Sequence, residues 1–450
     1  MEDKRYLKLG NKLAYGSGDM ATNFFYGVVT SFMLIYLTDT IGLNAGVVGT
    51  LMAVSRVLDG ITDVLFGSLI DRTKSKLGKA RPWMLWTILP IAVCEVLLFS
   101  MPSMGTTLQY VYFFVIFTIV NDFFFTANNV AYSTLSALMT PNKNERVQLG
   151  VFRFVFTTTA TMVVSALTLR MVAGFGGGVK GWRMTALVYA GLFIIIQLIC
   201  IFGTKEVTHQ GEEEKIGEGG KKSLFGNLKA VFSNPYFIMQ LLLGTFYNVL
   251  NNITVAVGAF YMIHKLGNPD LLGTFQLTQV FPLILGLVIT PMLVKRWGMY
   301  KVNLISMIIS SRACIPFAIA GMNGAVGIML VFSAIRWLGS APQIANSNAL
   351  IAEVADYSYN RDGLRVEGSI FSCSSMGTKI GQGLGTAAAG WLLAAAHYDG
   401  TLAVQTPQAI GMISFIYAVI PMIITIVMTV ILYFYKVEKA NEELRRKAQA

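Results

Sequence analysis

The residues of this 450-residue chain best suited to chemistry form one short run, Arg56-Val-Leu-Asp-Gly-Ile-Thr-Asp63, inside an apolar stretch from about Ala45 to Ile70. Asp59 and Asp63 stand four apart and Arg56 three before Asp59, so a helix would project all three from one face. If that helix crosses a bilayer, each unpaired charge in it costs at least ~2.5 kcal/mol. Charges survive there by facing a cavity, by pairing, or by binding an ion. Two readings follow, a structural ion-pair cluster or a site for a cation in transit.

Composition makes the membrane premise concrete. The chain is 54% apolar and only 13% charged, with mean hydropathy +0.59, whereas soluble domains carry about 25% charged residues. Twelve apolar runs begin near residues 14, 46, 83, 109, 149, 184, 236, 270, 302, 326, 368 and 408, each of about 20 residues, enough to span. The expected fold is an all-α polytopic membrane protein of twelve transmembrane helices. The first run has no small-residue cleavage site after it and reads as a retained helix. A charged, glycine-rich stretch, residues 204–235, divides the runs six and six. The expected domains are therefore a half over 1–203, a linker over 204–235, a half over 236–435 and a tail over 436–450.

The net charge of +11 is a topology signal. Numbering the loops alternately puts 26 basic residues on one side and four on the other. Positive loops stay inside, so both termini are expected in the cytoplasm of a cell-membrane protein, and nucleic acid is not an expected partner. The four cysteines fall on four different runs without paired spacing, and His209, His264 and His397 all read as loop residues. Neither a disulfide framework nor a buried imidazole relay is expected, and no nucleophile elbow, phosphate loop or helical His motif suggests an enzyme.

The other ionisable residues inside the runs are Asp19, Glu95, Asp122 and Arg153 in the first half and Arg312, Arg336 and Lys379 in the second. Carboxylates accept from sugar hydroxyls while Arg and Lys donate to sugar oxygens. Acids gathered in one half and bases in the other suit a cation plus a polyhydroxylated substrate. Asn23, Asn128, Asn129 and Tyr132 add amide and phenol groups, and Tyr247, Asn248, Asn251 and Asn252 form a further polar face. Glu95 and Arg312 read as local pairs or as side chains reaching for the interface.

At these positions the chain resembles the glycoside–pentoside–hexuronide:cation symporter family of the major facilitator superfamily, whose best-known member is the melibiose permease. The resemblance rests on Tyr15-Gly-Ser-Gly-Asp19, Asn23 and Tyr36-Leu-Thr-Asp39, then Arg56, Asp59, Asp63, Gly67, Asp71-Arg-Thr73 and Arg81-Pro-Trp83. It continues through Thr126, Asn129, Tyr132, Glu145-Arg146, Arg153, Asp356-Tyr357, Lys379, Gly381 and Gly385. It implies two six-helix halves, a cation site at Asp59 and Asp63 with Thr62 and Thr126 as further oxygen ligands, and a sugar site of Asp19, Asn23, Asn129, Tyr132, Arg153 and Lys379. Asp71 and Arg72 would form a cytoplasmic gate, with Gly67 allowing close helix approach. Val64 and Ala131 depart from the family's usual prolines. Asn129 replaces an aspartate of the permease, and Ser133 its aromatic sugar platform.

The implied activity is import of a glycoside, pentoside or hexuronide with Na⁺ or H⁺ by alternating access. No cofactor beyond that ion is expected, Na⁺ would sit at Asp59 and Asp63, and the protein should be monomeric in the lipid bilayer. Two other readings are carried: a symporter of the same fold for an amphiphile such as a lysolipid, and a transport-inactive sugar sensor. Interior carboxylates and amides weigh against the first, and the retained coupling residues against the second.

Overall fold

Within hydrocarbon every backbone N–H and C=O must be satisfied by the segment itself, which leaves helices for a chain with these apolar runs. A computed structural model describes residues 6–140, 142–206, 231–362, 367–402 and 404–449, and among them there is no strand. Most of the expected linker, residues 207–230, lies outside the described residues. Ten helices are long and apolar enough to cross a membrane. The second and eleventh expected runs are also helices, of 28 and 29 residues, Ala45–Arg72 and Glu367–Ala395.

The chain divides into two compact units. The first comprises Met1–Glu212, Val255–Thr274 and Thr386–Ala409. Its helices are α1 (Leu9–Ile35), α2 (Ala45–Arg72), α3 (Arg81–Leu98), α4 (Thr106–Thr118), α5 (Thr126–Met139), α6 (Lys143–Gly174) and α7 (Gly178–Gly203). A π-turn, Ile119–Phe125, joins α4 to α5 in one continuous span. The glycines around Asp19 set how closely α1 approaches its neighbours. A Cβ on Gly16 would lie 2.7 Å from the Phe156 ring, and one on Gly18 would lie 2.6 Å from both the Cys200 sulfur and the Tyr132 ring. At Gly67 an added Cβ meets nothing within 4 Å among the described residues.

The second unit comprises Glu213–Thr254, Phe275–Gly385 and Ile410–Ala450. Its helices include most of α8 (Pro235–Phe260), α9 (Leu271–Trp297), α10 (Met299–Asn323), α11 (Val326–Ala345), α12 (Ser347–Asp362), much of α13 (Glu367–Ala395), α14 (Pro407–Ser414), α15 (Ile420–Phe434) and α16 (Val437–Gln449). Gly377, Gly381 and Gly385 recur every four residues along α13 and let it sit directly on α8. Added Cβ atoms would come within 2.4–2.7 Å of Leu241, Thr245 and Val249. The tail helix α16 docks on α12 through Asn441, which donates to Glu353 at 2.7 Å, and through an Arg445–Asp356 ion pair at 2.9 Å.

In each unit a carboxylate from a distant stretch of the chain closes a helix N-terminus. Glu206, three residues beyond α7, accepts from the backbone N–H groups of Lys79, Ala80 and Arg81 at 2.7, 3.0 and 3.0 Å. Those are donors that a helix start cannot satisfy internally. Gly78, at φ +108°, brings the chain so close that a Cβ would lie 2.2 Å from the Glu206 carboxyl carbon. In the second unit Glu438, in the first turn of α16, accepts from the Tyr300 N–H at the start of α10 at 2.7 Å.

Glu206→Ala should therefore cost about 1–3 kcal/mol. The thermal midpoint of the purified protein should fall by several degrees. Glu443→Ala removes only an exposed pair with Lys439 at 3.8 Å and should leave the midpoint unchanged. Equal midpoints for the Glu206 variant and the wild type would show that the cap carries no weight.

Candidate functional site

Helix α5 and the π-turn before it bring the charged run of α2 to its partners. The Thr126 hydroxyl lies 2.6 Å from Asp59 Oδ1 and 2.9 Å from the Asn121 carbonyl. Arg56 Nη1 is 3.9 Å from the other Asp59 oxygen, and its guanidinium stands 5.2 Å from the centre of the Tyr26 ring. One turn before Asp59 on the same face, Ser55 donates to the Asp122 carboxylate, 3.0 and 2.9 Å from its two oxygens. Asp122 is fully buried and Asp59 nearly so. Thr62 turns its hydroxyl back to the Asp59 carbonyl at 3.1 Å, and Asp63 is half-buried one turn further along. Carboxylate and hydroxyl oxygens in this arrangement offer either a proton acceptor or the oxygen ligands a hard cation prefers.

A second cluster forms where α1, α5 and α6 meet. Asp19 Oδ2 accepts from Arg153 Nε at 3.1 Å and from the Thr157 hydroxyl. The Arg153 guanidinium lies 5.0 Å from the centre of the Tyr132 ring, which stacks on Tyr15 at 4.6 Å. The Tyr132 hydroxyl is spent on the Tyr15 carbonyl at 2.7 Å, and the side chain is fully buried, so Tyr132 supports Arg153 and does not present its phenol. Asn23 donates to the Asp19 carbonyl at 2.8 Å, which leaves its side-chain oxygen available. Asn129 is half-buried on α5 between Thr126 and Tyr132, and its amide takes no part in the bonds that hold either cluster.

The remaining expected residues are distributed as follows. Lys379 is half-buried on α13 in the second unit. Arg72 ends α2 exposed, and the side chain of Asp71 lies outside the described ones. Asn128 is not a site residue by its contacts: it donates to Thr87 at 2.8 Å and accepts from Gln197 at 3.0 Å, tying α3, α5 and α7 together. Arg312 is exposed. Glu95 neither pairs nor reaches outward, being fully buried with neither oxygen hydrogen-bonded among the described residues.

Sequence reasoning missed Ser55 and Thr157. Both were visible in principle, lying four residues from Asp59 and from Arg153 on the same helix faces. It also placed His264 in a loop, whereas the apolar run of α8 continues into a π-turn, Tyr261–Lys265. There His264 Nε2 lies 3.1 Å from Asp39 Oδ2, and the Tyr398 hydroxyl donates to Asp39 Oδ1 at 2.7 Å. All three residues belong to the first unit. Asp39 thus has a structural partner set of its own, separate from the two clusters above.

Residues 14–439 match the family described as MFS/sugar transport protein. The chain is 28% identical to the isoprimeverose transporter of Lactiplantibacillus pentosus, over 98% of this chain and 91% of that one. It is also 28% identical to the inner membrane symporter YicJ of Escherichia coli K12, over 93% and 89%. Among solved structures the nucleoside transporter NupG superposes with a TM-score of 0.67 at 14% identity, covering 94% of this chain and 99% of that one, which speaks for the fold alone. The chain is a multi-pass membrane transporter and not an enzyme. It belongs to the MFS/sugar transport family, within the glycoside–pentoside–hexuronide:cation symporter group of the major facilitator superfamily that its span-one, span-two and span-four residues resemble.

Proposed function

We propose that this protein imports a sugar together with Na⁺ or H⁺ across the cell membrane, with both termini in the cytoplasm, by alternating access between its two six-helix halves. One observation carries the reading. A single helix, α5, holds the Asp59 carboxylate through Thr126 and forms the base under Arg153 and Asp19 through Tyr132. Six residues separate those contacts, about 9 Å of helix rise. A rigid element that touches both clusters can pass a change at one to the other. Asn129 stands between them as an adaptable donor and acceptor for a sugar hydroxyl.

The coupling logic follows from charge. Asp59 and Asp63, one turn apart, repel when both are ionised. A proton or a bound Na⁺ relieves that repulsion and steadies α2 against α5, and the sugar site built on α5 then binds more tightly. Linkage makes the effect reciprocal, by about 1–3 kcal/mol. One charge entering across 100 mV supplies ~2.3 kcal/mol, and a tenfold ion gradient ~1.4 kcal/mol more. Together these hold a substrate a few hundredfold above its outside level. The names of the relatives, an isoprimeverose transporter and an inner membrane symporter, support a sugar cargo and symport.

Asp59→Asn and Asp63→Asn should each lose accumulation against a gradient while keeping sugar exchange down one. Uptake into energised vesicles, compared with exchange in de-energised ones, checks this. If both variants still accumulate sugar, the α2 site is not the coupling site and the cluster is structural.

Arg153→Ala should weaken sugar binding by at least about tenfold, the worth of a charged hydrogen bond of ~1.5–3 kcal/mol, and Lys379→Ala should do the same. Arg312→Gln, at an exposed position, should bind as the wild type does. Isothermal titration of the purified, folded variants decides. Wild-type affinity in the Arg153 variant would leave that residue only its structural pairing with Asp19.

A further inference from the structure

A second ionic feature, independent of the α2 and α5 clusters, lies within the second unit. A small pocket is lined by Tyr247, Asn251 and Thr254 of α8 and by Arg336, Trp337 and Ser340 of α11. Arg336 is 4% exposed, and its Nη1 has no hydrogen-bond partner among the described residues. The indole Nε1 of Trp337, next to it, is likewise buried and without a partner. Two adjacent buried donors, one of them charged, are thus left unanswered in the wall of one cavity.

Among the described residues no carboxylate hydrogen-bonds to Arg336 Nη1 or Trp337 Nε1. Helices α8, α9, α10, α11, α14 and α15 contain no Asp or Glu, and α13 has only Glu367 at its first residue. The acids flanking Arg336 in sequence are Asp270, 66 positions before it, and Glu353, 17 after it. Glu353 is already engaged by Asn441 of the tail. What surrounds the guanidinium is aromatic and neutral: the Phe317 ring centre at 4.8 Å, the Trp337 ring centre at 5.6 Å, and the Cys314 thiol. Ring faces attract a cation but satisfy none of its N–H groups. A buried guanidinium is costly unless an anion pairs with it, and a planar carboxylate is the group that matches its fork.

The geometry points to an anion subsite at Arg336 and Trp337 that takes the carboxylate of an acidic sugar, so that the transported substrate is a uronide and not a neutral glycoside. The assignment rests on the sugar-symport reading and narrows it. Arg336 Nη1 and Trp337 Nε1 donate to the carboxylate oxygens. The hydroxyl and amide groups of Tyr247 and Asn251 suit the neighbouring sugar hydroxyls, and the indole face suits the apolar face of the ring. Neutral sugars of the same shape leave the guanidinium unanswered and bind more weakly. Sites built around a buried donor discriminate strongly against an analogue that cannot meet it.

Methyl β-D-glucuronide and methyl β-D-glucoside differ in a carboxylate against a hydroxymethyl group and serve as the probes. Titration of the purified full-length protein should show the glucuronide binding at least tenfold more tightly. In Arg336→Gln that preference should vanish, with glucoside affinity unchanged, and Arg336→Lys should retain part of it. Trp337→Phe, which keeps a ring but loses the donor, should weaken the glucuronide alone by a few fold. The wild-type comparison decides even if a variant does not fold. Equal wild-type affinities, or an Arg336→Gln variant that weakens both probes alike, would overturn the subsite. If vesicles accumulate the glucoside with a cation and the glucuronide does not compete, the anion assignment falls and sugar symport stands. If neither probe binds or enters, both readings fall together.

Discussion

A charge inside a membrane protein has to be answered where it sits, because solvent is not there to do it. The structure of this transporter is arranged around that constraint. In the first unit Asp19 is answered by Arg153 and Thr157, Asp59 by Thr126 and Arg56, and Asp122 by Ser55. Hydroxyls share in all three, and a hydroxyl stabilises a carboxylate without cancelling its charge. In the second unit the imbalance has the opposite sign, with Arg336 buried among rings and helices that carry no acids. The cation site and the anion subsite proposed above rest on the same electrostatic rule.

The backbone is shaped to serve these charges. Three π-turns coincide with ionisable residues: Tyr36–Thr40 carries Asp39, Ile119–Phe125 carries Asp122, and Tyr261–Lys265 carries His264. A π-turn widens the helix and re-aims the side chains that follow it, which is why such turns gather at functional positions. The one before α5 lets the Thr126 hydroxyl reach both the Asn121 carbonyl and Asp59. Glycines do the complementary work of allowing contact. Gly16 and Gly18 press α1 against α6, α7 and the Tyr132 ring, and this fixes Asp19 beside Arg153. The Gly377, Gly381 and Gly385 ladder does the same for α13 on α8.

Much of this was legible before any coordinates. The apolar runs gave the helices, because run length and bilayer thickness are tied by helix rise. The spacing of Arg56, Asp59 and Asp63 gave a shared face, and an Arg56–Asp59 contact is found there. What the sequence could not carry was anything set by how helices face one another. Nothing local says that Ser55 meets a carboxylate 67 positions away, or that Asn128 turns to Thr87 and Gln197 while its neighbour Asn129 does not. The Tyr132 phenol was expected near the sugar, but stacking on Tyr15 commits it to a backbone carbonyl. π-turns have no dependable sequence signal, so His264 was read as a loop residue. Arg336 was noticed only as one base among several, because its isolation depends on what its neighbouring helices lack.

The central claim is that sugar and cation cross together, with the α2 carboxylates as the link. The most direct measurement uses wild-type protein in right-side-out vesicles with no imposed ion gradient. A sugar that those vesicles take up is added outside, and external pH and Na⁺ are followed by electrode. The account predicts that sugar entry pulls a cation inward, seen as external alkalinisation or as a fall in external Na⁺ in proportion to the sugar that enters. Sugar entry with neither ion moving would contradict it.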